Sequence, residues 1–300
     1  MSAGPDFLLI NGQEVDLAAR PAESSRAAGG ERAPIVSPLD RGFHFGDGLF
    51  ETIACVHGKA RFLSLHLDRL TAGCKRLNID VGDVNVIQTE VEHAAAATDV
   101  SLIKLMVTRG PATARGYAWS GRETATRVLF RYAWPQEDSR AQREGAAVRV
   151  SAMRLGENAA LAGMKHLNRL EQVIARSQVP SADAAELLLF SSSGQLISGT
   201  MSNAFLVRDG HLITPRVDRC GVAGVMRRVV MREAAKAGIA VEEGTVSEAD
   251  LDATREIFLT NARIGVWPVR SVDSRSLPVG AITQRIQSLL APLLENAVDA

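Results

Sequence analysis

Apolar residues in this chain recur at strand spacing in some stretches and at helical spacing in others, with no internal repeat. Phe7-Leu8-Leu9-Ile10 is a strand-length run closed by Asn11-Gly12, a pair suited to a two-residue hairpin turn. Leu49 to Val56 reads as a strand, and Leu63, Leu67, Leu70 and Leu77 mark a helix from Leu63 to Leu77. A second helix is expected over 84 to 97, with strands from Leu102 to Thr108 and from Arg127 to Ala133. The stretch from Pro135 to Gly145 is charged and has no apolar period, so the domain boundary is placed there, at 137/138. Ala147 to Ser151 opens the second half as a strand. Glu186 to Phe190, Gln195 to Ser198, Ala204 to Val207 and His211 to Thr214 follow, with turn residues between them, and read as an antiparallel meander. A helix over Val225 to Ala237 stops at Gly238, Ser247 with Asp250 caps a short helix, Glu256 to Thr260 is a strand, and 279 to 296 form a closing amphipathic helix. Residues 17 to 33, rich in Ala, Arg, Glu, Ser and Gly, read as a mobile surface loop.

The middle of the chain carries the most suggestive chemistry. Asn168 followed by Glu171 has the spacing of a capping box, which predicts a helix with Leu170, Val173 and Ile174 as its buried stripe. Lys165 then falls on the turn before that helix, among Ala162, Gly163, Met164 and Leu167. Partial desolvation there lowers an amine's pKa and makes it a nucleophile, whose natural use is a Schiff base. The ordinary reading of such a lysine is a solvated surface charge. The run from Pro38 to Thr52 holds three glycines and two aspartates, which point to tight turns; alone, it reads as a glycine-rich connection. Arg109 and Arg115 lie on a loop and suit a dianionic substrate, although loop arginines are mostly solvent-exposed. Gly221 to Gly224 precede a helix, a ready site for phosphate. His66, Asp68 and Arg69 default to a solvated or satisfied helix face.

Composition excludes several classes. With 34 basic and 34 acidic residues and no long run of one sign, the chain has no nucleic-acid or anionic-membrane footprint, and no segment approaches a membrane span. Cys55, Cys74 and Cys220 are odd in number and lack metal-ligand spacing, so they read as reduced thiols in a cytoplasmic protein.

The order of motifs carries more than any one of them. Asp40-Arg41-Gly42-Phe43, Phe45-Gly46-Asp47-Gly48-Leu49-Phe50-Glu51-Thr52, His66-Leu67-Asp68-Arg69-Leu70, Lys165-His166-Leu167-Asn168-Arg169-Leu170, Gly199 to Phe205 and Gly221 to Arg227 resemble, in sequence order, the fold-type IV pyridoxal-phosphate enzymes. The resemblance runs from residue 7 to about 270. It implies an α/β (α+β) protein with a small N-terminal α/β domain, 1–137, and a larger C-terminal domain, 138–300, of antiparallel strands and flanking helices. It also implies a pyridoxal 5'-phosphate site between the domains, a small-molecule substrate and a homodimer.

Carried over residue by residue, the resemblance makes Lys165 the covalent holder of the cofactor and the later carrier of the proton. It gives the phosphate to Arg69, the N–H groups of Val225 and Met226, and Asn261. It sets Glu51 near the Lys165 amine, Phe50 beside the cofactor face, and Thr52 as a hydroxyl for proton delivery to a leaving group. Arg109 and Arg115 are the candidates for substrate carboxylates. Thr108-Arg109-Gly110 with Arg115-Gly116-Tyr117, and Leu259 to Val269, resemble the branch of the family that splits 4-amino-4-deoxychorismate into 4-aminobenzoate and pyruvate. The aminotransferases of branched-chain or D-amino acids are the alternative, and a non-catalytic cofactor-binding homologue a remote one. One departure stands out: Ser198 occupies the position where most members keep a glutamate against the pyridine nitrogen. A hydroxyl can hydrogen-bond that nitrogen but adds no charge. A weaker electron sink is a handicap for a transaminase and tolerable for a lyase whose product is aromatic.

Overall fold

The computed structural model describes residues 4–17, 35–135, 140–180 and 183–296. Of the loop expected over 17 to 33, only Leu17 lies within the described residues, and the expected boundary at 137/138 lies outside them. The chain forms two compact units. Met1–Pro135, Lys165–Asn168 and Asn296–Ala300 make the first; Gln136–Met164 and Arg169–Glu295 make the second.

The first unit contains β1 (Phe7–Ile10), β2 (Gln13–Glu14), α1 (Arg41–Phe45), β3 (Gly48–Val56), β4 (Lys59–Ala60), α2 (Leu63–Leu77), α3 (Val84–Ala96), β5 (Val100–Thr108) and β6 (Thr126–Ala133). Its sheet has the order β2-β1-β6-β5-β3-β4 and every pairing is antiparallel. Asn11 and Gly12 take positive φ of 52° and 82°, the geometry that the twist of a two-residue hairpin demands. Alternation along β3 and β5 sorts the sheet into two faces. Glu51 and Ile53, with their register partners Leu105 and Ile103, are buried on the side of α2. Phe50 and Thr52, with partners Met106 and Lys104, lie on the other, half-buried side.

Because β4 pairs only with Cys55 and Val56, the Gly48–Phe50 end of β3 is an open edge. The excursion through Lys165 closes it: Phe50 N donates to Lys165 O at 2.9 Å and Leu167 N to Gly48 O at 3.0 Å, with an antiparallel bridge between Leu49 and His166. The Lys165 segment, expected to belong wholly to the C-terminal half, therefore packs with the first unit.

The second unit contains α4 (Arg140–Glu144), β7 (Ala146–Leu155), α5 (Leu170–Ser177), β8 (Glu186–Ser191), β9 (Leu196–Gly199), β10 (Asn203–Arg208), β11 (His211–Pro215), α6 (Val225–Lys236), β12 (Val241–Gly244), α7 (Glu248–Ala253), β13 (Glu256–Asn261), β14 (Gly265–Val272), β15 (Arg275–Ser276) and α8 (Ala281–Glu295). The sheet order is β12-β11-β10-β13-β14-β7-β8-β9, with β15 added to β14. Pairs β11–β12, β14–β7 and β7–β8 are parallel and the others antiparallel, as in an α/β protein with hairpins. Leu188, Phe190, Ala204, Leu206, Leu259 and Val269 lie at the centre of its core.

Two expectations are corrected here. The four strands β8 to β11 form two hairpins rather than one meander, since β9 is an edge and β10 pairs with β13. The cause is the Glu186 carboxylate, which gathers Thr200 and Met201 N–H groups and turns the chain away from β9. The capping box at α5 is also absent. The Asn168 amide donates to Gly46 O, the Glu171 carboxylate accepts from Gly156 N, and the side chain of Arg169, the N-cap, does not cap the helix. Leu170, Val173 and Ile174 are 74%, 60% and 46% exposed, so the predicted buried stripe faces outward. The Ser247–Asp250 capping box, by contrast, forms in full.

Candidate active site

In the first unit the site begins with a lysine over an aromatic ring. Lys165 is half-buried, its carbonyl fixed by Phe50 N, and its Nζ lies 4.2 Å from the centroid of Phe50. The ring face favours a cation there while supplying no proton acceptor. On the opposite side of β3, Glu51 is 1% exposed and accepts from His66 Nδ1 at 2.7 Å, from Arg69 Nε at 2.8 Å and from Arg69 Nη2. Burial alone raises the Glu51 pKa, but the Arg69 charge and the bonds from His66 and Arg69 outweigh it and hold the carboxyl at about 2. Burial lowers the pKa of His66 against the pull of Glu51, and the charges of Arg69 and Lys165 add to the lowering. The ring is therefore neutral, with its donor on Glu51. Its Nε2 is buried with no hydrogen-bond partner.

The motif ahead of β3 builds a second ionic cluster. Asp40 caps α1 by accepting from Gly42 N and also accepts from Thr108 Oγ1. Asp47 accepts from Arg41 Nε at 2.8 Å and from Arg109 Nε and Nη2 at 2.7 and 3.0 Å. Arg41 then donates to the carbonyls of Gly116, Tyr117 and Ala118, and Arg109 to those of Leu77 and Asn78. Arg109 also stacks on Trp119, 4.4 Å from the centroid. Its guanidinium is thus committed to the protein, which removes the reason to assign it a substrate carboxylate. Arg115 is exposed on the loop that Arg41 pins.

In the second unit, Glu186 accepts from Leu187 N, Thr200 N, Thr200 Oγ1, Met201 N and Ser202 Oγ, and so shapes the turn after β9 from beneath. Ser198 is buried and gives its hydroxyl proton to Gly199 O at 2.8 Å. It therefore presents only lone pairs to whatever lies beside it. Asn203 Nδ2 donates to Val222 O, while Gly163 N donates to Gly221 O and Gly163 O accepts from Ala223 N, which fixes the Gly221–Gly224 turn. A Cβ on Gly224 would lie 2.1 Å from Asn203 Oδ1, so only glycine fits this approach to α6. The helix starts at Val225 with no capping side chain and no acid in its first turn, which leaves the Val225 and Met226 N–H groups outside the helix's own hydrogen-bond ladder. Asn261 uses its amide elsewhere: Nδ2 donates to Met201 O, and Oδ1 accepts from Arg263 N and Ile264 N. Its side chain forms a turn, which argues against its assignment to phosphate.

Of the residues singled out from sequence, Lys165 with Phe50, and Glu51 with Arg69, meet within the first unit. Thr52 lies on the Phe50 face, opposite Lys104 in register. Ser198, Val225, Met226 and Asn261 belong to the second unit. Sequence reasoning missed His66, Asp47, Arg41 and Glu186. His66 with Arg69 at i, i+3 beside an acidic strand residue was the available signal for the first. The cysteines carry no chemistry: all three are buried and unpaired, and burial pushes Cys55 and Cys220 up to about 11 and Cys74 to about 12.

The first unit thus carries an amine over an aromatic ring and a buried carboxylate–arginine pair, and the second carries a glycine turn opening a helix. The family model described as amino-transferase class IV matches residues 48–272, and the chain belongs to that family. It is 31% identical to the aminodeoxychorismate lyase of Vibrio harveyi over 255 residues, 84% of this chain and 94% of the relative. The crystal structure of 4-amino-4-deoxychorismate lyase from Pseudomonas aeruginosa superposes with a TM-score of 0.84 at 40% identity, covering 88% of this chain and 97% of that one. The branched-chain amino acid aminotransferase of Escherichia coli superposes with a TM-score of 0.80 at 20% identity over 98% of this chain and 96% of its own, a likeness of fold alone.

Proposed function

We propose that the protein is a pyridoxal 5'-phosphate-dependent lyase that converts 4-amino-4-deoxychorismate to 4-aminobenzoate and pyruvate, the step that supplies the aromatic amine of folate. The observation that carries the reading is Lys165 Nζ, 4.2 Å above the Phe50 ring, in a chain 40% identical to a lyase of that activity. Its residues fit the cofactor. The uncapped first turn of α6, with a glycine where any Cβ would collide, suits a phosphate. Ser198, with its proton on Gly199 O, suits acceptance of a hydrogen bond from a protonated pyridine nitrogen.

When bound, the cofactor supplies an electron sink conjugated to the amine-bearing carbon of the substrate. Lys165 then takes the proton from that ring carbon, and Phe50 keeps the amine away from water until it does. The ether C–O bond breaks with its electron pair leaving on the enolpyruvyl oxygen, to which Thr52 is assigned as the proton donor. Aromatisation drives the cleavage, so the sink can be weaker than a transaminase needs. General acid–base transfer of this kind contributes about two to four powers of ten.

The protein is further assigned to the cytoplasm as a homodimer. Three buried unpaired thiols suit a reducing compartment. The outward Leu170, Val173 and Ile174 stripe of α5 suits burial against a second copy. No helix among the described residues is long and apolar enough to cross a membrane.

A product assay tests the function. Purified protein with cofactor is offered aminodeoxychorismate in one reaction, and L- and D-amino acids with 2-oxoglutarate in another. Equimolar 4-aminobenzoate and pyruvate in the first supports the lyase; oxo-acid exchange in the second alone assigns the chain to the aminotransferases.

A further inference from the structure

Lys104 stands in the middle of β5, between buried Ile103 and Leu105, on a strand otherwise apolar from Leu102 to Val107. Antiparallel register sets it opposite Thr52 on one side and Phe130 on the other. It therefore shares the half-buried face of the sheet with Phe50, Thr52 and Met106. Its Nζ lies 5.6 Å from the centroid of the Phe50 ring, the same ring that holds Lys165 Nζ at 4.2 Å. Among the described residues Lys104 makes no ion pair and no hydrogen bond. The nearest strand carboxylate, Glu51, points to the opposite face, where Arg69 neutralises it.

Lys104 thus adds to the ring that Lys165 also occupies an ammonium group that no described carboxylate neutralises. A structural lysine in mid-strand is normally paired or extends into water. This one instead lies over the ring that Lys165 shares, opposite Thr52 in register. Arg109, the arginine whose position first suggested a carboxylate ligand, is committed to Asp47 and two carbonyls.

We propose that Lys104 binds a carboxylate of the dianionic substrate in the site that Lys165 serves. The inference rests on the lyase reading above. Lys104 sets affinity and selects dianionic amines over simple amino acids. Thr52, its register partner, is thereby brought next to the substrate's enolpyruvyl arm.

The test uses holoenzyme of wild type, Lys104→Met, which keeps the apolar stem, and Lys104→Arg, which keeps the charge. KM and kcat are measured with aminodeoxychorismate. The inhibition constant of chorismate, a dianion with a hydroxyl in place of the amine, reports binding without the amine chemistry. Loss of one charge-assisted contact predicts about a ten- to hundred-fold rise in both KM and the chorismate constant for Lys104→Met, with kcat changed less. Lys104→Arg should recover most of the loss, and bound cofactor should be equal in all three. Wild-type KM and chorismate binding in Lys104→Met, or a fall in kcat alone, overturns the proposal. If that variant does not fold, Lys104→Gln is measured against the same two outcomes. A wild-type enzyme inert to aminodeoxychorismate overturns the lyase reading and this inference with it, a result separate from any contrast among variants.

Discussion

Replacing Asp47 by Asn isolates the ionic cluster that organises the front of the first unit. The carboxylate joins Arg41 and Arg109, whose side chains are only 5% and 7% exposed. Burial raises the Asp47 pKa, but hydrogen bonds from Arg109 and Arg41 and their charges reverse this and leave it lowered. Asn keeps the shape and one acceptor oxygen while removing the charge both guanidinium groups face. Breaking a buried pair by removing one partner costs about 3–5 kcal/mol. Since Asn still accepts from one arginine, a loss near about 3 kcal/mol is expected, a large part of the stability of an ordinary domain. Urea unfolding followed by far-UV circular dichroism measures it. A second readout is local. Arg41 holds the carbonyls of Gly116, Tyr117 and Ala118, so its loosening should expose the neighbouring Arg115 to faster tryptic cleavage. An unfolding free energy within about 0.5 kcal/mol of wild type, with unchanged cleavage at Arg115, would refute the reasoning.

Acid should destabilise the protein in two overlapping windows. Glu51 has a pKa of about 2 when folded against 4.5 ordinarily, so its stabilisation is complete above 4.5 and is lost as pH falls toward 2. His66 is held below 6.5, so the unfolded chain takes up its proton first and stability already falls below that pH. Unfolding free energies from pH 7 down to about 2 check this, and Glu51→Gln should flatten the lower window; an unchanged slope in that variant contradicts it. On α5, Leu170→Glu with Val173→Glu should convert a dimer to a monomer in sedimentation velocity, and a variant that stays dimeric removes this helix from the interface. Ser198→Glu should raise side transaminase activity by strengthening the electron sink, and an unaltered rate counts against the role given to that position.

Periodicity in the sequence was a good guide where an element's neighbours do not matter to its identity. The strand over Leu49 to Val56, the helix from Leu63 to Leu77 and the capped helix after Ser247 formed as their spacing and end residues predict. It failed where the decision lay between distant groups. The apolar stripe on α5 has helical spacing, but spacing does not say which surface covers it, and among the described residues of this unit it stays exposed. Asn168 and Glu171 have capping-box spacing, yet Gly46 O and Gly156 N compete for them and win. Arg109 looked like a loop arginine available to ligand because its partner Asp47 lies far off in the sequence. Glu51, His66 and Arg69 illustrate the opposite case. Each fitted a bland reading alone, and the register of β3 against α2 is what makes them one buried cluster.

The central claim is that Lys165 is the reactive amine, and Lys104, over the same ring, makes it a discriminating one. Holoenzyme is reduced with borohydride, digested, and its peptides are read by mass spectrometry for the phosphopyridoxyl group. The account predicts the mass addition on Lys165, with a folded Lys165→Ala protein that carries none and releases no 4-aminobenzoate. Modification of Lys104 or another lysine in the wild type, or turnover by Lys165→Ala, would contradict it.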